Sequence, residues 1–321
     1  MLRGNTSKNI FFWEVWFYMF DFCNRHYGPY DKIESRIAMA LDLGMDIIPL
    51  HYLHTNVLFG RNSTDSTGIN HYEGGSLNSL EQLADNPVPD CWLDDINNLQ
   101  ISRKKITDAG LASCIYLTHC FHAANISMGL ENLSMKLYDD PAFVKTYIAW
   151  VEDRNCQAIE TVISKVMPEL VLLDGDCAYK TGLMVRPALY RELICDITNK
   201  TVSQLRRLGI PYAFHSDGKA DELLPILIEL GFCAFHGCEK QANDLDHLVC
   251  TFGENICLIG NMDVAFLKNA SPDDICRETE KMITIGQKKG RFITACNTSP
   301  LDYIPDQNYM AFCKTIKQMK S

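Results

Sequence analysis

The residues best suited to chemistry in this sequence follow short apolar runs, where the strands of a sheet would end. In the stretch F-H-S-D-G, His215 and Asp217 are two residues apart, so at an extended strand end both side chains point to one face. Glu239 and Cys296 follow two later apolar runs. Zinc accepts nitrogen, oxygen and sulfur donors, and a thiolate favours zinc over magnesium or calcium. The sequence therefore predicts a zinc site with these four ligands.

Polar residues also follow most of the other apolar runs. They are His51 and His54, His119 and His122, Asp174 and Asp176, His236, Asn261 and Asp263, and Asn297. Each has a simpler interpretation, because Asp-Gly pairs are typical of turns and a histidine after a strand commonly holds backbone carbonyls. Their convergence on one end of a sheet favours a functional site.

Alternating strands and helices must position these residues. The predicted strands are 10–17, 45–50, 112–117, 169–173, 210–214, 232–235, 256–259 and 291–295, and the clearest helices are 31–43, 141–167, 187–208, 220–230, 243–251, 272–289 and 306–320. This alternation implies a parallel sheet, and eight strands in 321 residues predict one (β/α)₈ TIM-barrel domain over residues 1–321. An open doubly wound sheet is the alternative, but it usually carries a G-x-G-x-x-G turn, which is absent from the sequence. Residues 51 to about 90 are polar and predict an excursion that covers the site.

Composition narrows the class of protein. A net charge of −10 argues against sequence-independent nucleic-acid binding, which needs a basic surface. No apolar run approaches the roughly 20 residues that span a bilayer, and the first residues lack the pattern of a secretory leader. Fourteen scattered cysteines without C-x-x-C fit a reducing compartment. We expect a cytoplasmic enzyme, monomeric or homodimeric, with no nucleic-acid or membrane partner.

Several motifs together resemble the uroporphyrinogen decarboxylase superfamily. They are L-L-D-G-D-C-A-Y-K-T-G-L-M-V-R-P-A-L-Y-R-E-L, F-H-S-D-G, C-E-K-Q-A-N-D-L-D, L-I-G-N-M-D and C-N-T-S-P-L-D-Y-I-P-D-Q-N-Y. Their order and spacing match from about Lys136 to the C-terminus, and more loosely from Phe12. The resemblance implies a (β/α)₈ barrel with its site at the strand ends. It also implies one of two chemistries, which are cofactor-free decarboxylation of uroporphyrinogen and zinc- and corrinoid-dependent methyl transfer.

Departures from the two branches favour methyl transfer. The decarboxylase branch carries an arginine-rich R-x-x-G-R segment after the first strand, whereas this chain reads F-W-E-V-W-F-Y-M-F-D-F with no arginine until Arg25. The methyltransferase branch carries H-x-C on the fifth strand and a second cysteine on the eighth. His215 and Cys296 match that pattern, while Asp217 stands where the first cysteine would lie. Glu239 matches an acidic position near the metal.

The resulting hypothesis is a zinc-dependent methyltransferase that moves a methyl group between a corrinoid protein and a thiol or another small methyl donor or acceptor. We assign catalytic roles to Asp176, His215 and Glu239, and substrate contacts to Tyr179, Asp174, Asp263, Asn261 and His119. Decarboxylation of a porphyrinogen is the rival activity. A non-catalytic barrel that binds a corrinoid or tetrapyrrole is the second alternative.

Overall fold

Eight parallel strands form the central sheet. A computed structural model describes residues 9–53, 59–64, 70–84 and 96–320. Its strands are β1 (Phe11–Phe12), β2 (Ile47–Leu53), β3 (Gly60–Thr64), β4 (Asn70–Gly75), β5 (Ala112–Thr118), β6 (Leu170–Asp174), β7 (Ala178–Tyr179), β8 (Gly182–Leu183), β9 (Tyr212–His215), β10 (Ala234–His236), β11 (Cys257–Met262) and β12 (Phe292–Cys296). The sheet order is β1-β12-β11-β10-β9-β6-β5-β2, while β3–β4 and β7–β8 are separate antiparallel pairs.

Helices follow the strands of the sheet along the chain. They are α1 (Phe20–His26), α2 (Ile33–Leu43), α3 (Glu81–Ala84), α4 (Ile96–Asp108), α5 (Cys120–Met128), α6 (Leu130–Asp139), α7 (Pro141–Ala158), α8 (Ser164–Val166), α9 (Pro187–Tyr190), α10 (Asp196–Leu208), α11 (Leu223–Glu229), α12 (Leu245–Phe252), α13 (Val264–Asn269), α14 (Pro272–Gly286) and α15 (Asp306–Lys320). Two π-helical segments, Ile159–Ile163 and Arg191–Cys195, and the 3₁₀ turn Gln287–Lys289 continue α7, α9 and α14. Among the described helices, none is both long and apolar enough to span a lipid bilayer.

The fold is TIM-barrel-like, as predicted from the alternation of strands and helices. Neighbours in the curled sheet are consecutive strands of the chain. Its two edge strands approach each other where the Asp46 N–H donates to the Phe12 carbonyl at 2.8 Å. The predicted strands are all present with shifted ends. The largest difference is β1, which is shorter than the predicted 10–17 because the chain leaves the sheet and lines a cavity with Trp16 and Phe17.

The two faces of the sheet bury different side chains. One cluster fills the inside of the curl and consists of Trp13, Val15, Ile47, Cys114, Tyr116, Leu170, Leu172, Ala213, Ala234, Cys257, Ile259, Ile293 and Ala295. The alternate residues, such as Leu173, Phe214 and Phe292, join the larger cluster with the helices. Because side chains alternate along a strand, a residue two places after an inner one also faces inward. Asp174 and His215 take such positions.

The polar excursion is a β-hairpin that packs on α5. Strands β3 and β4 pair antiparallel, and the Tyr72 hydroxyl donates to the Ile126 carbonyl at 2.8 Å. The Leu77 N–H donates to the Ser127 carbonyl at 2.9 Å. Of the described residues after Tyr52 in this excursion, none lines the main cavity, so the predicted cover over the site is not found in this part. His54 lies outside the described residues.

Candidate active site at the carboxyl ends of the strands

Asp174, Asp176 and His215 form the one group of metal-ligating side chains that the described residues bring together. One donor atom from each lies within 4.8 Å of the others. Asp174 ends β6 and His215 ends β9, and these two residues are direct partners in the parallel register. The site therefore follows from two adjacent strands ending at the same level, as the sequence predicted for both residues.

The glycine between the two aspartates allows their close approach to β9. A Cβ atom on Gly175 would lie 2.2 Å from the ring of Phe214, which is too close for any side chain. The Gly175 N–H also donates to the His215 carbonyl at 2.9 Å. The sequence D-G-D is thus more than a turn, because it holds Asp176 next to His215.

Opposite charges surround the His215 ring. Its Nε2 atom lies 3.4 Å from Asp176 Oδ1 and 3.7 Å from Asp217 Oδ1. Burial by itself would lower the pKa of His215, but the neighbouring Asp176, with Asp217 and Asp174, raises it to about 9. Burial by itself would raise the pKa of Asp176, but His215 holds it below its usual range. Burial raises the pKa of Asp217 to about 6.

A second histidine lies behind His215. The Nδ1 atoms of His215 and His236 are 2.8 Å apart, and His236 Nε2 lies 3.1 Å from the Cys296 carbonyl oxygen. Both rings are buried. The Trp16 ring meets the His215 ring edge-on, with the ring centroids 4.4 Å apart. His215 is therefore fixed on two sides while its Nε2 atom remains toward the carboxylates.

The cluster opens into a cavity of about 750 Å³. Its lining is aromatic and acidic, and includes Trp16, Phe17, Tyr18, Phe20, Tyr30, Asp31, Tyr52, Tyr116, His122, Asp174, Asp176, His215 and Asp217. One arginine, Arg36 of α2, also lines it; Nη1 donates to the Pro49 carbonyl at 2.8 Å, and Nε has no hydrogen-bond partner. The cavity therefore offers apolar walls, carboxylates and a single guanidinium group.

Two of the four predicted zinc ligands lie away from this cluster. Glu239 Oε2 accepts the Gly218 N–H at 2.6 Å and does not line the cavity. Cys296 is the last residue of β12, and its side chain belongs to the cluster that packs against the helices. Its thiol donates to Glu14 Oε1 at 3.2 Å. Strand alternation thus turns the Cys296 side chain away from His215, which leaves the predicted set without its sulfur donor.

The predicted substrate contacts other than Asp174 are also placed outside the cavity. Tyr179 is exposed on β7, and Asp263 caps α13 by accepting the Ala265 and Phe266 N–H groups. Asn261 lies against Met282 of α14, to whose sulfur its N–H donates. His119 caps α5, and its Nε2 lies 2.9 Å from the Thr198 hydroxyl. Burial lowers the pKa of His119 to about 3.

Sequence reasoning missed Trp16, Tyr52 and Arg36 as cavity residues. Tyr52 donates to Asp174 Oδ2 at 3.3 Å, but its position depends on a register shift within β2 that no motif reveals. His236 had a visible signal, because the tripeptide A-F-H occurs twice, 21 residues apart. The two copies pair in register, so that His236 lies beside His215.

The sequence comparison identifies the family. The family profile described as uroporphyrinogen decarboxylase (URO-D) matches residues 112–319, about two thirds of the chain. The chain belongs to the uroporphyrinogen decarboxylase family. The matched part of this URO-D protein contains strands β5 to β12 and the whole Asp174, Asp176 and His215 cluster. No curated protein sequence gives a significant match.

Solved structures support the fold assignment. A methyltransferase from Methanosarcina mazei is similar with a TM-score of 0.77 and 13% identity, over 100% of this chain and 97% of that one. A broad-specificity endoglucanase from Clostridium longisporum has a TM-score of 0.48 and 9% identity, over 99% and 94% of the two chains. The first likeness shows the fold of this URO-D protein. The second is too weak to support any conclusion.

The clustered residues fit a divalent metal ion. Two carboxylates and one imidazole leave a coordination position free, as in catalytic zinc sites with three protein ligands. Asp217 Oδ1, 3.7 Å from His215 Nε2, has no hydrogen-bond partner although it is buried. Buried acceptors without donors are rare, and a cation would satisfy this one. The set is harder than the predicted one because it contains no thiolate.

Proposed function

We propose that this URO-D protein is a zinc-dependent methyltransferase. It would move a methyl group between a small heteroatom substrate and a corrinoid carried by a partner protein. The observation that carries the proposal is the Asp174, Asp176 and His215 cluster, which faces a cavity of about 750 Å³. The shared fold of the Methanosarcina mazei methyltransferase supports the choice of this branch of the family.

Asp174, Asp176 and His215 would hold the metal, and Asp217 lies beside them. A bound Zn²⁺ supplies Lewis-acid activation, which lowers the pKa of a thiol or polarises another heteroatom in the open position. Asp217 would accept the proton that a thiol releases. Its pKa, raised to about 6 by burial, is near the working pH of a general base, and its Oδ1 atom has no other partner.

The cavity walls would bind the body of the substrate and limit access of water. The aromatic side chains of Trp16, Tyr52 and Tyr116 line the cavity together with the aspartates. Flat apolar groups pack well against such rings. The substrate in this proposal is therefore small and largely apolar around the atom that exchanges the methyl group.

Metal content and methyl transfer test the proposal together. We expect freshly purified protein to contain zinc by elemental analysis, and to exchange methyl groups between methylcobalamin and members of a thiol panel. Absorbance reports the conversion between methylcob(III)alamin and cob(I)alamin. Asp176→Asn should lose zinc and lower kcat/KM on the order of 100-fold or more.

Asp263→Asn is the matched control for this variant. Asp263 caps α13 away from the cavity, and asparagine is an equally good N-cap, so both zinc and activity should remain. Protein without zinc, together with unchanged methyl transfer in Asp176→Asn, would refute the proposal.

Arg36 supports decarboxylation as a second candidate activity. The guanidinium lines the cavity with an unpartnered Nε atom, and arginine is the usual partner of a buried carboxylate. A porphyrinogen with many carboxylates would meet this one cation and several aspartates, which is why the methyltransferase is preferred. Incubation with uroporphyrinogen and mass analysis of the tetrapyrrole and released carbon dioxide decide between the two activities.

A further inference from the structure

We infer that His236 is a positioning residue that holds His215 as the Nδ1–H tautomer, which leaves the Nε2 lone pair of His215 for a metal ion. The assignment of the proton follows from geometry alone. The part that concerns metal binding rests on the proposed function. The role is distinct from ligation, because His236 is not a member of the metal-ligating cluster.

The contact between the two histidines requires one donor and one acceptor. Their Nδ1 atoms lie 2.8 Å apart, which is a hydrogen-bond distance, and a single proton can lie between them. Either ring could carry it. The direction of this bond is therefore set by what the other nitrogen of each ring contacts.

The far side of His236 settles the direction. His236 Nε2 lies 3.1 Å from the carbonyl oxygen of Cys296, and a carbonyl oxygen can only accept. Nε2 of His236 therefore carries a proton. A neutral imidazole has one N–H, so its Nδ1 atom is the acceptor, and His215 Nδ1 must donate.

The positive charge that the pair can carry belongs on His215. Asp176 and Asp217 lie 3.4 Å and 3.7 Å from His215 Nε2. His236 instead has a carbonyl, the His215 ring and the Trp16 ring as its nearest partners, and it is buried. A doubly protonated His236 would be a buried cation without a counter-ion, which costs several kcal/mol.

The backbone fixes His236 in this position. Strands β9 and β10 pair in register with His236 beside His215, and the Ser216 N–H donates to the His236 carbonyl at 3.2 Å. The accepting carbonyl is held as well, because the Cys296 N–H donates to Glu14 Oε2 at 3.1 Å. Cys296 thus contributes to the site through its main chain, whereas its sequence position predicted a thiolate ligand.

The consequence is a preorganised nitrogen donor. With its proton on Nδ1, neutral His215 presents the Nε2 lone pair on the side of Asp176 and Asp217. Partners that fix the tautomer of a ligating histidine typically contribute about 10–100-fold in metal affinity. We expect a contribution of this size from His236.

Nitrogen NMR of ¹⁵N-histidine-labelled protein reads the tautomers directly, because an unprotonated ring nitrogen resonates far downfield of a protonated one. In metal-free protein we expect His236 to be protonated on Nε2 alone. In zinc-loaded protein we expect His215 to keep the proton on Nδ1. A proton on His236 Nδ1 in metal-free protein would overturn the inference.

Variants at position 236 supply a second readout. His236→Phe keeps a ring against Trp16 but accepts no hydrogen bond, so Zn²⁺ affinity measured by chelator competition should fall about 10–100-fold. His236→Asn places an amide oxygen near the lost Nδ1 atom and should restore most of the affinity. Wild-type affinity in His236→Phe would contradict the inference.

His119→Phe is the matched control, because His119 is equally buried but has no contact with His215. It should keep the wild-type Zn²⁺ affinity, with circular dichroism to confirm folding in each variant. A wild-type protein that binds no Zn²⁺ would refute the proposed metal-dependent function. The spectrum of metal-free protein would then decide the tautomer without it.

Discussion

The two faces of the sheet each bury a carboxylate, and the two carboxylates differ in what surrounds them. On the inner face, Asp176 lies 3.4 Å from His215 Nε2, which can carry a positive charge. On the outer face, Glu14 accepts from the Cys296 N–H and thiol and from the Tyr309 hydroxyl, at 3.1, 3.2 and 3.3 Å. Those donors are neutral groups. Only the inner carboxylate therefore has a counter-charge.

The pKa values follow this difference. Burial raises the pKa of Glu14 to about 7, because neutral donors offset only part of the desolvation. For Asp176 burial acts in the same direction, but His215 outweighs it and lowers the pKa. A buried carboxylate thus stays ionised where a cation faces it and opens to a ligand, and it tends to be neutral where the sheet and α15 seal it in. The inner face is suited to chemistry and the outer face to packing.

The largest effect expected from this comparison is on metal binding by the two faces. His215→Ala should abolish Zn²⁺ binding, with a loss on the order of 100-fold or more, because it removes the nitrogen donor of the cluster. Cys296→Ala should leave Zn²⁺ affinity nearly unchanged, since the thiol lies on the outer face. Chelator competition and elemental analysis measure both. Equal losses in the two variants would mean that Cys296 is a ligand and that the comparison between the faces is wrong.

Strand ends explain both the successes and the failures of sequence reasoning. Apolar runs locate the carboxyl ends of the strands, so the sequence alone suffices to place Asp174, Asp176 and His215 near one another. Cys296 could not be oriented, because the predicted strand 291–295 stopped one residue short. The strand continues through Cys296, and alternation then directs the thiol outward. One residue at a strand boundary decided between ligand and packing residue.

Other parts of the site depend on tertiary contacts that a pattern does not contain. Arg36 reaches the cavity from α2, and how a helix docks on a sheet is set by packing of whole surfaces. Asp263 looked like a site residue because it follows a strand, but it serves as the N-cap of the next helix. A carboxylate at a strand-to-helix junction fits either role, and only the helix start distinguishes them.

The next prediction concerns the pH dependence of stability. The pKa of Glu14 rises from 4.5 to about 7 on folding, so between these values the folded state holds a proton that the unfolded chain has released. Wild-type protein therefore loses stability as pH rises through this window, by at most about 3 kcal/mol. Glu14→Gln lacks this ionisation and should gain on wild type between about pH 5 and pH 8. Urea unfolding at several pH values measures the difference.

Asp176→Asn is the control from the inner face, and its sign is opposite. The folded-state pKa of Asp176 is lowered, so its contribution to stability is present at neutral pH and is lost on acidification through the low folded-state value. The asparagine variant should therefore be less stable than wild type near pH 7, and the gap should close in acid. A Glu14→Gln variant that follows the same trend as Asp176→Asn would show that the two faces do not differ electrostatically.

The smallest expected effect isolates one donor on the outer face. Tyr309→Phe removes the hydroxyl that donates to Glu14 Oε1 at 3.3 Å and keeps the ring in the core. The cost should be about 1 kcal/mol, and more at pH 8 than at pH 5, because the hydroxyl stabilises mainly the ionised carboxylate. Losing this donor also raises the pKa of Glu14 further, since the Tyr309 hydroxyl lowers it in the wild type. Urea midpoints across this pH range measure both effects, and a loss independent of pH would mean that Tyr309 acts through packing alone.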